Sequence, residues 1–182
     1  MPLDPQVEAL MAPMAQMEMP DVPGPDDAPS VVEHAGARAH AGEETWWKSE
    51  RAILFRYVTK PSFLAETPQP PQTQVWIKAN GDMPDDSVLH TCLWTYASDM
   101  TLLDTTLMPH ATADIRNELM NASLDHAMWF HHPFRMDEWV LYTQDTPTMA
   151  GSRGLARGLV YSADGTLVAS VMQEGLIRRI RP

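Results

Sequence analysis

One stretch of the chain has helical periodicity, and it lies between segments that have strand periodicity. From about residue 86 to residue 107, large apolar residues recur at spacings of three and four. The members of this stripe are Leu89, Leu93, Tyr96, Met100, Leu103 and Leu107. The preceding residues, Pro84-Asp85-Asp86-Ser87, are acidic and polar, as is typical of the start of a helix. We therefore predict one long helix that buries this stripe against the rest of the fold.

The other patterned segments are typical of β-strands. Two precede the helix, at residues 51–57 and 74–79, and about four follow it. The later segments cover residues 122–131, 138–148, 151–162 and 166–180. Asp164-Gly165 joins the last two segments as a hairpin turn. This order predicts an α+β fold in which an antiparallel β-sheet wraps around one long α-helix, which is the layout of the hotdog fold.

The length of 182 residues accommodates one ordinary domain and a tail. Residues 1–45 contain four closely spaced prolines among acidic and small residues, at positions 20, 23, 25 and 29. Such a composition favours a disordered or linker-like tail. We therefore predict a single domain over residues 46–182.

Charge and composition exclude several classes of function. A formal net charge of −11 disfavours binding to nucleic acid or to anionic membranes. The chain lacks the apolar run of about 20 residues that spans a bilayer, and its start does not resemble a secretory signal, so we expect a cytoplasmic location. Cys92 is the single cysteine, which excludes an intrachain disulfide and a cysteine-based zinc site within one chain. We expect no cofactor and no metal.

Five short blocks carry a resemblance to a known family. They are QVWIKANG at residues 74–81, YASD at 96–99 followed by PH at 109–110, ASLDHAMWFH at 122–131, EWVLY at 138–142 and VMQEG at 171–175. With these blocks in this order, the chain resembles the acyl-CoA thioesterase II family. The resemblance implies a hotdog fold and the hydrolysis of acyl-CoA to free fatty acid and CoA.

Family members resemble two hotdog domains in one polypeptide, and every matched block belongs to the second domain. We expect the first domain to be absent, because residues 19–23 resemble the linker between the two. Hotdog sites form where two domains meet, so a homodimer or a larger homo-oligomer is expected to replace the missing half.

The resemblance also implies three catalytic residues. Asp99 would act as the base, and Ser123 and Gln173 would hold the attacking water by hydrogen bonds. On the predicted helix, Asp99 falls beside the apolar stripe, at the shoulder of the buried face. We therefore predict that a helix carboxylate, a strand hydroxyl and a strand amide meet in one pocket.

Two other groups of residues have chemistry that an acyl-CoA site could use. His126, His131 and His132 could hold a metal or supply a base, although packing or hydrogen bonding is the favoured interpretation. Arginines at two places could bind a phosphate, although a solvated cluster is the favoured interpretation there. These arginines are Arg153, Arg157, Arg178, Arg179 and Arg181.

Two alternatives to a thioesterase remain open from the sequence. Asp85, Ser87 and His90 approximate the D-x-N-P-x-H pattern of enoyl-CoA hydratases, with two positions changed. A truncated hotdog chain could also bind acyl-CoA, or pair with other hotdog chains, without catalysis. A serine esterase is disfavoured because no G-x-S-x-G elbow occurs, although cleavage of activated oxygen esters stays compatible with a thioesterase site.

Overall fold

A computed structural model describes residues 6, 16–36, 50–111 and 118–180. In chain order the elements are α1 (Val31–Ala35), β1 (Ile53–Tyr57), a 3-10 helix (Ser62–Leu64), β2 (Gln72–Ala79), α2 (Ser87–Ser98), a second 3-10 helix (Leu103–His110), β3 (Leu119–Ser123), β4 (Ala127–Phe130), β5 (Val140–Ala150), β6 (Arg153–Ser162) and β7 (Leu167–Arg179). Among the helices of these ranges, none combines the length and apolarity needed to cross a membrane.

The strands form one antiparallel sheet in the order β1-β2-β5-β6-β7-β3, and β4 also pairs with β7. Helix α2 packs on the inner face of this curled sheet. Trp94 and Ala97 of the helix are fully buried in a core that includes Val75, Tyr142 and Val171 from three strands. The predicted α+β hotdog layout, with two strands before the helix and the others after it, is therefore confirmed.

The predicted helical region is present, but it consists of two pieces, and half of its predicted apolar stripe is exposed. Helix α2 ends at Ser98, and the chain then turns into the second 3-10 helix. Leu89, Tyr96 and Met100 of the predicted stripe are exposed. The residues of α2 that are buried are His90, Trp94, Ala97 and Ser98. The face that packs on the sheet is therefore centred on Trp94, whose ring meets the Tyr142 ring edge-to-face at a centroid distance of 4.9 Å.

The predicted strand over residues 122–131 is divided in two by a bulge. Ser123 at the end of β3 lies opposite Gly175, and Ala127 at the start of β4 lies opposite Met172. Three residues on this side therefore oppose two on β7. Such a mismatch bends the strand and redirects its side chains.

The described part of the predicted tail, residues 16–36, packs against the sheet. The Trp76 indole N–H donates a hydrogen bond to the Pro23 carbonyl over 2.9 Å, and the Tyr57 amide donates to the Pro29 carbonyl over 2.8 Å. Ala28 is buried against Trp76. The predicted boundary at residue 45 lies outside the described residues, so the division into tail and domain stays a prediction.

Candidate active site

Helix α2 ends at a carboxylate. Its N-terminus is capped by Asp86, whose side chain accepts a hydrogen bond from the Val88 amide over 2.9 Å. At the other end, Asp99 is the C-cap residue and is exposed, directly after the buried residues Ala97 and Ser98. A negative charge at a helix C-terminus interacts unfavourably with the helix dipole, by about 0.3–1 kcal/mol. Helix stability therefore does not explain an aspartate at this position.

Strand β7 brings a buried amide to this carboxylate. Gln173 lies near the middle of the strand and has an exposed fraction of 0%. Its side-chain Nε2 donates hydrogen bonds to Asp99 Oδ1 and to Ser123 Oγ, the latter over 2.8 Å. The three predicted site residues thus meet in the structure, from the end of α2, the end of β3 and the middle of β7. Their catalytic role stays a prediction.

The hydrogen bonds within this group determine what it can offer to a bound molecule. Both hydrogens of the Gln173 amide are used, one by each partner. Since Ser123 Oγ accepts from Gln173, the Ser123 hydroxyl hydrogen is left to be donated elsewhere. An ionised Asp99 has acceptor capacity beyond the oxygen that Gln173 uses. An exposed acceptor therefore lies beside an exposed donor, which is the pair needed to orient one water molecule.

The bulge between β3 and β4 fixes the relative position of Ser123 and Gln173. Asp125 in the bulge accepts a hydrogen bond from the Glu174 amide over 2.9 Å, and the Leu124 amide donates to the Glu174 carbonyl over 2.9 Å. Glu174 follows Gln173 directly, so these bonds tie the chain after Ser123 to the strand that carries the amide. Asp125 is therefore a positioning residue for the group.

A close approach by the segment after Asp99 depends on Gly175. A Cβ atom at Gly175 would lie 2.3 Å from Leu103 Cδ1 and 2.6 Å from Leu103 Cδ2. Leu103 begins the second 3-10 helix, and Gly175 lies opposite Ser123 on β7. The missing side chain therefore lets the chain beyond Asp99 pack directly beneath the strand pair that holds Ser123.

Two polar side chains contact Ser98 at the C-terminal end of α2. The Tyr142 hydroxyl donates a hydrogen bond to the Ser98 carbonyl over 3.4 Å, and Ser98 Oγ lies 3.3 Å from His126 Nε2. Burial raises the pKa of Tyr142 well above its ordinary value, and the negative charge of Asp99 raises it further. The phenol therefore stays protonated and remains a donor to the helix end.

The candidate arginines are mostly engaged with carboxylates. Arg153 pairs with Glu174 over 3.0 Å, Arg157 forms two hydrogen bonds to Asp145, and Arg179 lies 3.5 Å from Glu118. Arg178 forms no ion pair with any described residue, and Arg181 lies outside the described residues. These pairs favour a structural role for Arg153 and Arg157.

The histidines also have local partners. His131 Nε2 lies 2.9 Å from Ser170 Oγ, and His126 lies against Ser98 as described above. Over the described ranges, no three histidine, cysteine, aspartate or glutamate side chains cluster so that they could hold a metal ion.

The residues of the hydratase-like pattern do not converge. The Asp85 side chain is fully exposed and pairs with Arg135 over 2.9 Å. His90, in contrast, is buried, and its Nδ1 accepts a hydrogen bond from the Met136 amide over 3.0 Å. With the acid on the surface and the imidazole in the core, this pattern offers no joint site.

Asp125 and Gly175 had no role predicted from the sequence, whereas packing or hydrogen bonding was the favoured interpretation of His126, which lies 3.3 Å from Ser98 Oγ. Asp125 lies in the block ASLDHAMWFH, two positions after Ser123. Gly175 lies in the block VMQEG, two positions after Gln173. Their proximity to the proposed site residues was a usable signal. Their roles depend on a bulge, which a regular alternation of side chains does not reveal.

The fold and the polar group at the helix end define the class, a hotdog protein. A conserved protein with a hot dog fold from Alicyclobacillus acidocaldarius shares the fold, with a TM-score of 0.64 at 18% identity, over 92% of this chain and 56% of that chain. The family model described as acyl-CoA thioesterase matches residues 55–176. The chain therefore belongs to the acyl-CoA thioesterase family.

Named relatives agree with this family. Acyl-coenzyme A thioesterase 8 of Mus musculus is 34% identical over 176 residues, which cover 90% of this chain and 53% of that protein. Acyl-CoA thioesterase 2 of Haemophilus influenzae is 39% identical and covers 69% of this chain and 43% of that protein. The crystal structure of an acyl-CoA thioesterase II from Mycobacterium marinum has a TM-score of 0.70 at 41% identity, covering 91% of this chain and 57% of that chain. The chain thus spans about half the length of the curated relatives that it matches.

Proposed function

We propose that this chain hydrolyses acyl-CoA thioesters to free fatty acid and CoA, a reaction of fatty acid metabolism, with Asp99 as the general base. The observation that supports this most is the meeting of Asp99, Ser123 and Gln173 from three separate elements. Family membership supports the acyl-CoA substrate. The cytoplasmic location expected from the sequence stays a prediction.

The reaction needs one water molecule and no covalent enzyme intermediate. The water donates one hydrogen to Asp99 and accepts one from Ser123. As Asp99 takes the proton, the water oxygen adds to the thioester carbon, and the carbonyl electron pair moves onto its oxygen. When the carbonyl re-forms, the carbon–sulfur bond breaks. The CoA thiolate leaves and receives the proton that Asp99 holds, so one acid and one thiol result. Gln173 holds the Asp99 carboxylate and the Ser123 hydroxyl in a fixed relative position during the reaction.

Release of free thiol from acyl-CoA by the wild type and by Asp99→Asn tests this proposal. We expect the substitution to lower kcat by about 100-fold or more, because an amide cannot accept the proton. Asp82→Asn is the matched control, since Asp82 is an exposed aspartate before α2 and lies away from the group. Equal rates for wild type and Asp99→Asn would remove Asp99 from the mechanism.

We also propose that the working unit is a homodimer. Large apolar side chains are exposed on α2 and on the edge of the sheet formed by β3 and β4. They are Val88, Leu89, Tyr96 and Met100 on the helix side and Met120, Leu124, Trp129 and Phe130 on the edge side. Exposed apolar surface beside an unpaired strand edge is typical of a surface that another chain covers. A second copy of the chain would bring the same surface and extend the sheet.

Size-exclusion chromatography with light scattering tests the assembly, and we expect a mass of two chains or a larger closed multiple. A stable monomer would contradict the proposal. A monomer that binds acyl-CoA in calorimetry without releasing thiol would favour the second candidate function, a non-catalytic binding protein. The exposure of Asp99 and Ser123 in the single chain favours that candidate, since a site open to solvent does not enclose the thioester and hold it in a reactive geometry. Cleavage of an activated oxygen ester, measured alongside, would show whether the site accepts oxygen esters.

A further inference from the structure

His126 lies directly before β4, on the side of the sheet that faces α2. Strand β4 pairs Ala127 with Met172, and the same register extended by one residue sets His126 beside Gln173. Both side chains reach the last turn of the helix. His126 Nε2 lies 3.3 Å from Ser98 Oγ, and Gln173 binds the next residue, the proposed base. The imidazole is therefore a close neighbour of the proposed catalytic group.

The hydrogen bond between His126 and Ser98 has a defined direction. Ser98 Oγ donates its one hydrogen to the Thr95 carbonyl over 3.0 Å. The thioether sulphur of Met128, 3.8 Å away, is a much weaker acceptor. The Ser98 hydroxyl is thus left to accept from His126, and the imidazole Nε2–H is the donor. Because a protonated ring also carries a hydrogen on Nε2, this bond does not depend on the charge of the imidazole.

The Ser98 hydroxyl takes part in ending α2 at Asp99. In a continuing helix, the amide of residue 99 would donate to the Thr95 carbonyl, four positions earlier. In this chain the Thr95 carbonyl accepts from the Ser98 hydroxyl, and the Asp99 amide donates to the Ala97 carbonyl. Side chains that bond to helix carbonyls compete with the backbone in this way and bend or end helices. The orientation of Ser98 is therefore coupled to the backbone position of Asp99.

We propose that His126 is a positioning residue for the general base, and that it acts by donating a hydrogen bond to Ser98. Gln173 joins the side chains of Asp99 and Ser123, whereas His126 joins the two backbone segments that carry them. Placement matters because a shift of about 1 Å in a reacting group can cost about 100-fold in rate. The inference rests on the proposed thioesterase function and adds to it a residue that does not touch the substrate.

Substitutions of His126 with and without a donor test the proposal. His126→Ala removes the Nε2–H, and we expect kcat for thiol release to fall about tenfold while KM stays within about twofold, because the base moves and the binding surface does not. His126→Gln supplies an amide Nε2–H at a similar distance from the backbone and should restore kcat to within about threefold of the wild type. Its pH profile for kcat should match that of the wild type.

A double variant tests whether the effect passes through Ser98. Ser98→Ala removes the acceptor, and we expect the same loss of about tenfold in kcat. Combined with His126→Ala, it should lose no more than the larger of the two single losses, because both changes break one connection. Losses that multiply would overturn the proposed route through Ser98.

The matched control is His131→Ala, which removes a second histidine–serine contact from the same strand pair. His131 Nε2 lies 2.9 Å from Ser170 Oγ, and this contact is exposed. We expect the control to leave kcat unchanged.

Two results in an active wild type would overturn the inference and leave the thioesterase proposal standing. The first is a loss in His126→Gln as large as that in His126→Ala, or a shifted pH profile, because the ionisable ring itself would then be needed. The second is an unchanged kcat per folded molecule in His126→Ala together with a lower thermal unfolding midpoint, because His126 would then serve stability alone.

If the wild type releases no thiol from acyl-CoA, the proposed function fails, and hydrogen exchange measured by NMR tests the inference. The amides of Asp99 and Met100 both donate to the Ala97 carbonyl, so their exchange reports how firmly this turn is held. Relative to the amides of β5, they should exchange about tenfold faster in His126→Ala and within about threefold of the wild type in His126→Gln. Unchanged exchange in His126→Ala would overturn the inference.

Discussion

Two glutamines of the sheet are equally buried, yet their surroundings differ in kind. Gln144 on β5 has both ends of its amide satisfied inside the protein. Its Nε2 donates to Thr101 Oγ1 over 2.6 Å, and its Oε1 accepts from Thr105 Oγ1 over 2.8 Å. Both threonines are buried. This cluster ties the segment after α2 to the sheet and is closed to solvent.

Gln173 on β7 also reaches the segment after α2, but its partners Asp99 and Ser123 are exposed. Its own Oε1 is buried and has no hydrogen-bond partner among the described residues. Burial of a polar side chain therefore does not by itself mark a functional site. What distinguishes Gln173 is that its partners reach solvent and retain hydrogen-bonding capacity, which a closed cluster such as that of Gln144 lacks.

The largest expected difference between the two glutamines is in catalysis. Gln173→Ala should lower kcat/KM by about 100-fold to 1,000-fold, because the base and the hydroxyl lose the group that aligns them. Gln144→Ala should retain the wild-type rate per folded molecule. Thiol release, normalised to the folded fraction measured by circular dichroism, makes the comparison. A similar loss of activity in both variants would break the distinction.

Stability should show the opposite order. Gln144→Ala leaves the Thr101 hydroxyl buried without the Gln144 amide and leaves Thr105 with Thr73 Oγ1 alone, 3.2 Å away, which should lower the free energy of unfolding by about 1–3 kcal/mol. Gln173→Ala should cost about 1 kcal/mol or less, because Asp99 and Ser123 can turn to water. Urea denaturation of both variants measures these values. If Gln173→Ala proved the more destabilising, Gln173 would belong to the structural group.

Gly175→Ala sharpens the comparison by moving the segment that both clusters share. The new methyl group would meet Leu103, and we expect a loss of about 1–2 kcal/mol in stability together with reduced thiol release. Leu103→Val in the same chain should restore part of both. Gly24→Ala is the control, since no atom lies within 4 Å of a Cβ at that position. A Gly175→Ala variant with wild-type behaviour would show that the close approach is not needed.

Tyr142→Phe should have the smallest effect, because its hydrogen bond to Ser98 is long. At neutral pH we expect a loss of about 1 kcal/mol or less. Since burial raises the pKa of Tyr142 above its value of 10.0 in the unfolded chain, its contribution to stability is complete below pH 10 and is lost as the pH rises further. Removing the phenol should therefore make the alkaline decline less steep.

Urea denaturation at neutral pH and above pH 10 measures this change in slope. A decline remains in the variant, because burial also raises the pKa of Tyr57 and Tyr161. An unchanged slope would show that Tyr142 does not contribute to the alkaline loss.

The order of strands and helix was predictable because the spacing of apolar residues and the presence of turn residues are local properties of the sequence. Asp164-Gly165 does turn between β6 and β7, and the alternation along β6 matches its burial. The meeting of Asp99, Ser123 and Gln173 was anticipated through resemblance to the family. Nothing in their separation along the sequence dictates it.

The errors have a common physical cause. The local sequence allowed more than one buried face or strand geometry, and tertiary packing determined which one formed. On α2, the spacing of large apolar residues suggested that Tyr96 and Leu89 face the core, whereas the face that packs on the sheet carries Trp94 and Ala97. The division of the 122–131 segment likewise depends on the Asp125 carboxylate bonding across to β7, a contact between residues 49 positions apart.

Ser123 lies on the outermost strand of the sheet, so within the described residues a single neighbouring strand, β7, restrains it. The ends of an edge strand unfold locally most readily, and each such event would move the Ser123 hydroxyl away from the Asp99 carboxylate. Specific activity should then depend on protein concentration. It should fall on dilution, because dissociation of a second copy would leave β3 exposed. Anything that clamps β3, whether a second copy or an engineered crosslink to β7, should act as an activator without touching the substrate.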